Sequence, residues 1–157
     1  SGFNMKVLYY DTQDNKILEN ELNAKRVELD DLLAESDFVS IHTPLLPVTR
    51  HLFTLDTFKK MKTSAYLINT SRGPVIKESD LLQALKDNVI AGAGIDVYEN
   101  EPKLTRGLEK LNNVVITPHT ASATVGARTG MATKAARNLL AMVKNQTAPD
   151  CVNPEVY

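Results

Sequence analysis

Tyr66-Leu-Ile-Asn-Thr-Ser-Arg-Gly-Pro74 is the stretch that decides the reading of this chain. Tyr66 to Asn69 is short and mostly apolar and predicts a strand; Thr70, Ser71 and Arg72 stand at its C-terminal end, and Gly73-Pro74 breaks the element. In an open parallel sheet, ligands bind just outside the carboxyl ends of the strands. An arginine launched from such an end, between a rigid strand and a Gly-Pro turn, can fork onto a carboxylate. On this stretch alone, an exposed loop arginine is an equally good reading.

The same strand-then-polar pattern recurs on both sides. Towards the N-terminus, Lys6-Val-Leu-Tyr-Tyr10 predicts a strand ending at Asp11, and the polar segment from Thr12 to Lys25 reads as a loop. Glu28 to Ala34 carries Leu29, Leu32 and Leu33 at helical spacing, and Phe38-Val-Ser-Ile41 is a strand with His42-Thr-Pro44 at its end. Leu55 to Met61 predicts a short helix. Towards the C-terminus come a helix around Ser79 to Asp87, a buried strand over Val89 to Val97 that ends at Asp96, and a loop holding Glu101-Pro102. Val114-Val-Ile-Thr117 is a further strand, stopped by Pro118-His119. From about Thr124 to Lys144 the period turns helical, and Ala132, Ala135, Ala136, Leu139, Leu140 and Val143 form a stripe expected to pack inward. Gln146 to Tyr157 reads as irregular or as a short terminal strand.

Alternating strands and helices argue for an α/β fold with a parallel sheet. Right-handed crossovers put all the strand ends on one edge. Asp11, His42, Thr70, Arg72, Asp96 and His119 then share that edge. Each has a plainer explanation singly; five strands delivering polar groups to one edge favour a site.

Composition narrows the classes. The 157 residues suffice for a domain with a real core, and 43% hydrophobic and 24% charged residues are ordinary for a soluble globular protein. A net charge of -1 without a basic block argues against nucleic acid or an anionic membrane as partner. The single cysteine, Cys151, leaves no internal disulfide framework and suits a reducing, cytoplasmic setting. No leader-like segment and no run of membrane-spanning length stand out, so a soluble intracellular protein is expected.

Three residues suggest proton chemistry. A carboxylate such as Glu101, reaching the His119 imidazole, would stabilise its charged form and fix its tautomer. Such a histidine can give a proton to a carbonyl or take one from an alcohol near neutral pH. With Arg72 on a substrate carboxylate, the set suits a 2-oxo or 2-hydroxy acid. Spacing alone leaves a plain loop histidine open. Asp11, ending a strand, can accept hydrogen bonds from an adenosine ribose and disfavours a 2′-phosphate; a turn aspartate is the alternative. Gly92-Ala-Gly-Ile-Asp-Val97 imitates half of a dinucleotide fingerprint, but it lies within a strand and is a decoy. His42, His51 and His119 have no metal-ligand spacing with one another or with Cys151, and Ser71 lacks a nucleophile-elbow context.

The motifs together resemble the nucleotide-binding half of the D-isomer-specific 2-hydroxyacid dehydrogenases, the family of glyoxylate and hydroxypyruvate reductases and phosphoglycerate dehydrogenase. The resemblance runs through Val7-Leu-Tyr-Tyr-Asp11, Asp37-Phe-Val-Ser-Ile-His-Thr-Pro-Leu45, Leu67-Ile-Asn-Thr-Ser-Arg-Gly73, Ala93-Gly-Ile-Asp-Val97 with Glu101-Pro102, and Thr117-Pro-His-Thr-Ala-Ser122. It implies an NAD-dependent oxidoreductase, NAD being favoured over NADP, that interconverts 2-oxo acids and D-2-hydroxy acids by hydride transfer. It implies that Arg72 binds the substrate carboxylate and carbonyl, that His119 is the general acid/base and that Glu101 is its partner. Ribose contacts fall to Asp11, adenine-side contacts to His42, Thr43 and Pro44, and nicotinamide-side contacts to Thr70, Arg72 and Asp96, with His119 at the same face. Glu101 speaks against the formate dehydrogenase branch, which places a glutamine with its histidine.

Two departures qualify the match. The family carries a substrate domain before this region, and a strand, Gly-rich turn and helix just before Gly2-Phe3; neither is in the sequence. The expected fold is therefore a Rossmann-like parallel sheet with flanking helices lacking its first βα unit, with residues 1–123 as a partial NAD-binding domain and 124–157 as a C-terminal helix and tail. In the order 3-2-1-4-5-6 the absent strand is central, so neither Lys6–Tyr10 nor Phe38–Ile41 is expected to pair with Tyr66–Asn69. A homodimer, or a second chain completing the sheet, is one way to satisfy the open edges. Weak NAD binding is expected without the turn. A non-catalytic dinucleotide-sensing module of corepressor type and an inactive remnant of a truncated gene are the alternatives.

Overall fold

Hydrophobic alternation and helical spacing produce two groups of parallel strands in the computed structural model, which describes residues 3–156. The chain divides into two compact units, Ser1–Pro118 and His119–Tyr157. In the first, β1 (Leu8–Tyr9) and β2 (Lys25–Arg26) form a two-stranded parallel ribbon around helix α1 (Lys16–Leu22). Helix α2 (Leu29–Glu35) leads to β3 (Phe38–Ile41), then come α3 (Leu55–Phe58), β4 (Tyr66–Asn69), α4 (Glu78–Lys86), β5 (Gly92–Ile95) and β6 (Val114–Ile116). The last four strands make one parallel sheet in the order β3-β4-β5-β6.

Strand period sets which face is covered. Val39, Ile41, Leu67, Ala93 and Ile95 point to one face and are buried with Leu33, Phe58, Leu81 and Leu85 from the helices. Each of the larger side chains among them contributes about 1.5–3 kcal/mol of transfer free energy. The alternate residues Phe38 and Tyr66, opposite each other in the register, stay largely exposed and stack with ring centroids 5.8 Å apart.

The pairing corrects one expectation. Phe38–Ile41 does pair with Tyr66–Asn69, in parallel, with Phe38 opposite Tyr66 and Ile41 opposite Asn69. That register buries Val39 and Leu67 on a common face, which a displaced strand would forfeit. The break in the sheet falls instead between β1 and β3, which belong to separate sheets. Tyr66 N–H donates to the Asp37 carbonyl at 3.0 Å. Asp37, Val39 and Ile41 therefore address β4, while the main-chain groups of Phe38 and Ser40 point to the outer edge.

Thr12 to Lys25 is also more ordered than its polarity suggests. It holds α1 and the start of β2, yet α1 buries no residue. Polar contacts hold it: the Asn15 side chain caps the helix by accepting from Leu18 N–H at 3.1 Å, and the Tyr9 hydroxyl donates to Glu19 at 2.6 Å. Elsewhere the predicted elements form with trimmed ends, β5 covering only Gly92–Ile95 of the run from Val89 to Val97.

In the second unit, α5 (Val125–Val143) is capped by the Thr124 side chain, which accepts from Ala127 N–H at 3.2 Å. The stripe expected to pack inward does not: Ala132, Ala135, Ala136, Leu139, Leu140 and Val143 are all exposed, and Ala141 is the helix's buried residue. Helical period records that a face is apolar, not that something covers it. The tail ends in a single 3-10 turn over Pro154–Val156, and Tyr157 lies outside the described residues. No helix among the described residues is long and apolar enough to cross a membrane.

Candidate functional site

The C-terminal edge of the sheet is shaped by Asn69, the last residue of β4, whose side chain is fully buried. Its Oδ1 accepts from Ser71 N–H at 3.0 Å and its Nδ2 donates to the Arg72 carbonyl at 3.1 Å. This side-chain turn folds the chain at Ser71 and sends Arg72 out of the sheet. Ser71 Oγ in turn donates to the Thr43 carbonyl and ties the loop after β4 to the loop after β3. Arg72 is exposed, with one guanidinium nitrogen donating to the Ser71 carbonyl at 2.7 Å.

Those two loops enclose an open cleft of about 470 Å³, lined by His42, Thr43, Pro44, Leu45, Ser71 and Arg72. His42 Nε2 lies 2.8 Å from Ser40 Oγ, which orients the ring at the end of β3. Thr43 Oγ1 is buried and has no hydrogen-bond partner. A hydroxyl left unpaired in that way costs about 1–3 kcal/mol.

Beyond β5, Asp96 is buried; its N–H donates to the Asn69 carbonyl at 2.9 Å and its Oδ1 accepts from Thr117 Oγ1 at 2.5 Å. Glu101 is exposed and its Oε1 accepts from Tyr98 N–H at 3.1 Å. The Tyr98 hydroxyl donates to the Thr117 carbonyl at 2.5 Å. Burial raises the Tyr98 phenol above its ordinary value, and the negative charges of Asp96, Glu101 and Glu78 add to the rise. It therefore stays a donor at neutral pH.

Asp11 sits at the end of β1, on the ribbon and not among the residues lining the cleft. Its Oδ1 accepts from Gln13 N–H and from Thr12 Oγ1, both at 3.2 Å. The Gln13 amide first, then the Thr12 hydroxyl, hold its carboxyl below the usual range, so it is anionic at neutral pH. Arg26 clasps the Asp11 carbonyl from Nε at 3.1 Å and Nη2 at 2.8 Å. His119 opens the second unit, exposed and with a left-handed φ of 53°.

Of the residues picked from sequence, the structure gathers His42, Thr43, Pro44 and Arg72 into one cleft, with Thr70 exposed at the adjoining strand end. Leu45 and Ser71, which also line it, and Asn69, which holds the turn beneath Arg72, were not anticipated. The signal for Asn69 was available: asparagine two residues before an amide it can accept from is a turn former. Gly92 and Gly94 lie within β5, as their reading as a decoy requires.

A parallel sheet that gathers polar side chains at its carboxyl edge defines the class of Rossmann-like α/β domains. The chain belongs to the D-isomer specific 2-hydroxyacid dehydrogenase family, whose NAD binding domain is matched by residues 1–121. It is 49% identical to the glyoxylate reductase of Pyrococcus horikoshii over 155 residues, covering 99% of this chain and 46% of that protein. The apo structure of Escherichia coli D-lactate dehydrogenase superposes with a TM-score of 0.86 at 37% identity, over 95% of this chain and 47% of that one. The NAD-complexed D-isomer specific 2-hydroxyacid dehydrogenase of Lactobacillus delbrueckii ssp. bulgaricus gives 0.82 at 35% identity, over 97% and 50%. The chain thus spans about half the length of the relatives it matches.

The domain implies NAD. The anionic Asp11 at the end of β1 suits the hydroxyls of a ribose, and the exposed Arg72 guanidinium in the cleft suits an anionic group. The sequence contains no Gly-x-Gly-x-x-Gly turn opening a helix.

Proposed function

We propose that this chain forms the cofactor side of an NAD-dependent oxidoreductase that interconverts 2-oxo acids of the glyoxylate and hydroxypyruvate kind with D-2-hydroxy acids. The observation that carries the reading is the open cleft at the carboxyl ends of β3 and β4, lined by His42, Thr43 and Arg72. Asp11 would hold the ribose and, by its charge, disfavour a 2′-phosphate. His42, Thr43 and Pro44 would line the adenine side, and Thr70, Arg72, Asp96 and His119 the nicotinamide side. When bound, NAD supplies the acceptor or donor of hydride.

The chain's own residues then handle charge and proton. The planar guanidinium of Arg72 pairs with the substrate carboxylate and draws the 2-oxo group towards it. His119 gives a proton to the carbonyl oxygen in reduction and takes one from the hydroxyl in oxidation. Glu101 stabilises the imidazolium. Residues 1–123 act as the NAD-binding part and 124–157 as a helix and tail joining it to a substrate domain. The near-neutral composition and single cysteine support a cytoplasmic setting, and the exposed apolar side chains of α5 support a homodimer.

The test joins residues 1–157 to the remaining half of the Pyrococcus horikoshii enzyme and follows NADH oxidation with glyoxylate and hydroxypyruvate. Turnover that falls by at least about a hundredfold in Arg72→Ala and His119→Ala is expected. NADH binding without turnover on any 2-oxo acid would replace the reading with a non-catalytic dinucleotide-sensing module. For residues 1–157 alone, calorimetry is expected to find NAD binding much weaker than micromolar, because the pyrophosphate-binding turn is not in the sequence.

A further inference from the structure

The loops bearing Arg72 and Glu101 cross at one place. Gly73 is buried against the Tyr98–Glu99 peptide, where an added Cβ would stand 1.8 Å from the Tyr98 carbonyl oxygen and 2.6 Å from Glu99 N. Both sides of that crossing are held by a residue outside the cleft. The backbone N–H of His51 donates to the Pro74 carbonyl at 2.8 Å, and its Nε2 lies 2.6 Å from Glu99 Oε1. A carboxylate only accepts, so Nε2 is the donor.

Glu99 is braced from behind. Its Oε2 accepts from Glu78 N–H at 2.9 Å, while buried Glu78 accepts from Glu99 N–H at 3.1 Å and from Thr105 N–H at 2.6 Å. The seam continues past His51, with Phe53 N–H donating to the Val75 carbonyl at 3.0 Å and Lys77 N–H to the Phe53 carbonyl at 2.9 Å. His51 adopts a φ of 53°, uncommon for a residue with a side chain, and such outliers gather where a structure fixes a special geometry.

We propose that His51 is a positioning residue: by bridging Pro74 and Glu99 it fixes the Arg72 turn against the Tyr98–Glu101 loop. Arg72 lies two residues before the carbonyl that His51 holds, and Glu101 two residues after the carboxylate. Glu101 is itself bonded to Tyr98 N–H, at the crossing. The significance of Arg72 and Glu101 rests on the proposed function; the clasp between their loops does not.

Amide spectra of the chain carrying His51→Ala, His51→Phe and His51→Gln test this. Alanine removes the ring, phenylalanine keeps its bulk without the donor, and glutamine restores an N–H to Glu99. The first two variants are expected to shift the Arg72, Gly73, Tyr98 and Glu101 signals while leaving Leu67 and Ile95 in place, and glutamine to return them. Unmoved Arg72 and Glu101 signals in a folded alanine or phenylalanine variant would overturn the proposal. So would failure of glutamine to restore them, or unfolding of both other variants, because His51 would then serve the whole fold and not the loops. In the joined enzyme the same variants are expected to lower kcat more than they raise KM, with glutamine rescuing. A parent enzyme that never turns over would sink the functional reading and leave the spectra as they are.

Discussion

The β3–β6 sheet and the β1–β2 ribbon are both parallel, both short and both end in candidate ligand residues, yet they are held by different forces. Beneath the sheet lie Leu33, Phe58, Leu67 and Leu81, none with accessible surface. The ribbon has intermediate or exposed strand residues, a helix that buries nothing, and ion pairs such as Lys6–Glu35 at 2.6 Å and Arg26–Asp14 at 3.0 Å. Exposed pairs of that kind contribute about 0–1 kcal/mol each. Arg72 therefore stands on the better-packed scaffold, and Asp11 on one whose local opening is expected to cost less.

The largest expected contrast comes from side-chain deletion. Phe58→Ala should lower the stability of the sheet by about 3–5 kcal/mol, while Leu22→Ala on α1 should stay within about 0.5 kcal/mol. Urea denaturation measures both, and equal losses would erase the distinction. A smaller contrast lies in acid. Burial alone would raise the Asp80 pKa, but the Leu55 amide and Lys77 outweigh it and hold the carboxyl below its usual range. A depressed carboxylate contributes stability above its unfolded pKa and loses it as pH falls through the folded value. Asp80→Asn should therefore be less stable than wild type at neutral pH and converge with it below about pH 4. Glu35, held low by its bond to Lys6 but exposed, should weigh less, and Glu35→Gln should move the acid limb by less than Asp80→Asn does. The smallest effect is the ribbon's own: Lys6→Ala should cost under about 1 kcal/mol. It should be visible as faster hydrogen exchange at Lys25 and Val27, whose amides bond Val7 and Tyr9 at 3.0 Å, and should fade in high salt.

That difference also explains what could be read in the sequence. Where a residue's position follows from burial, as with Val39, Leu67 and Ile95, alternation announces the strand. Where a segment is held by polar contacts, as α1 is by Tyr9, burial leaves no period to read, and the local sign was the Asn15 cap. Pairing order was misjudged for a related reason: the strand signal of Phe38–Ile41 says nothing about its neighbour, which burial of a shared face selects. Among the residues lining the cleft, His42 and Arg72 were picked for standing at strand ends, and Thr43 and Pro44 for the motif that resembles the family's. Ser71 was set aside as a nucleophile, yet its hydroxyl ties two loops. The His51–Glu99 contact joins residues 48 positions apart and left no trace in spacing.

The outer edge of β3 has one last consequence, which is about concentration. The main-chain groups of Phe38 and Ser40 face away from β4, so an extended segment that reaches them gains backbone hydrogen bonds whatever its side chains. Such an edge does not choose its partner by sequence. In dilute solution water takes that place, and the chance of pairing with another exposed strand rises with concentration.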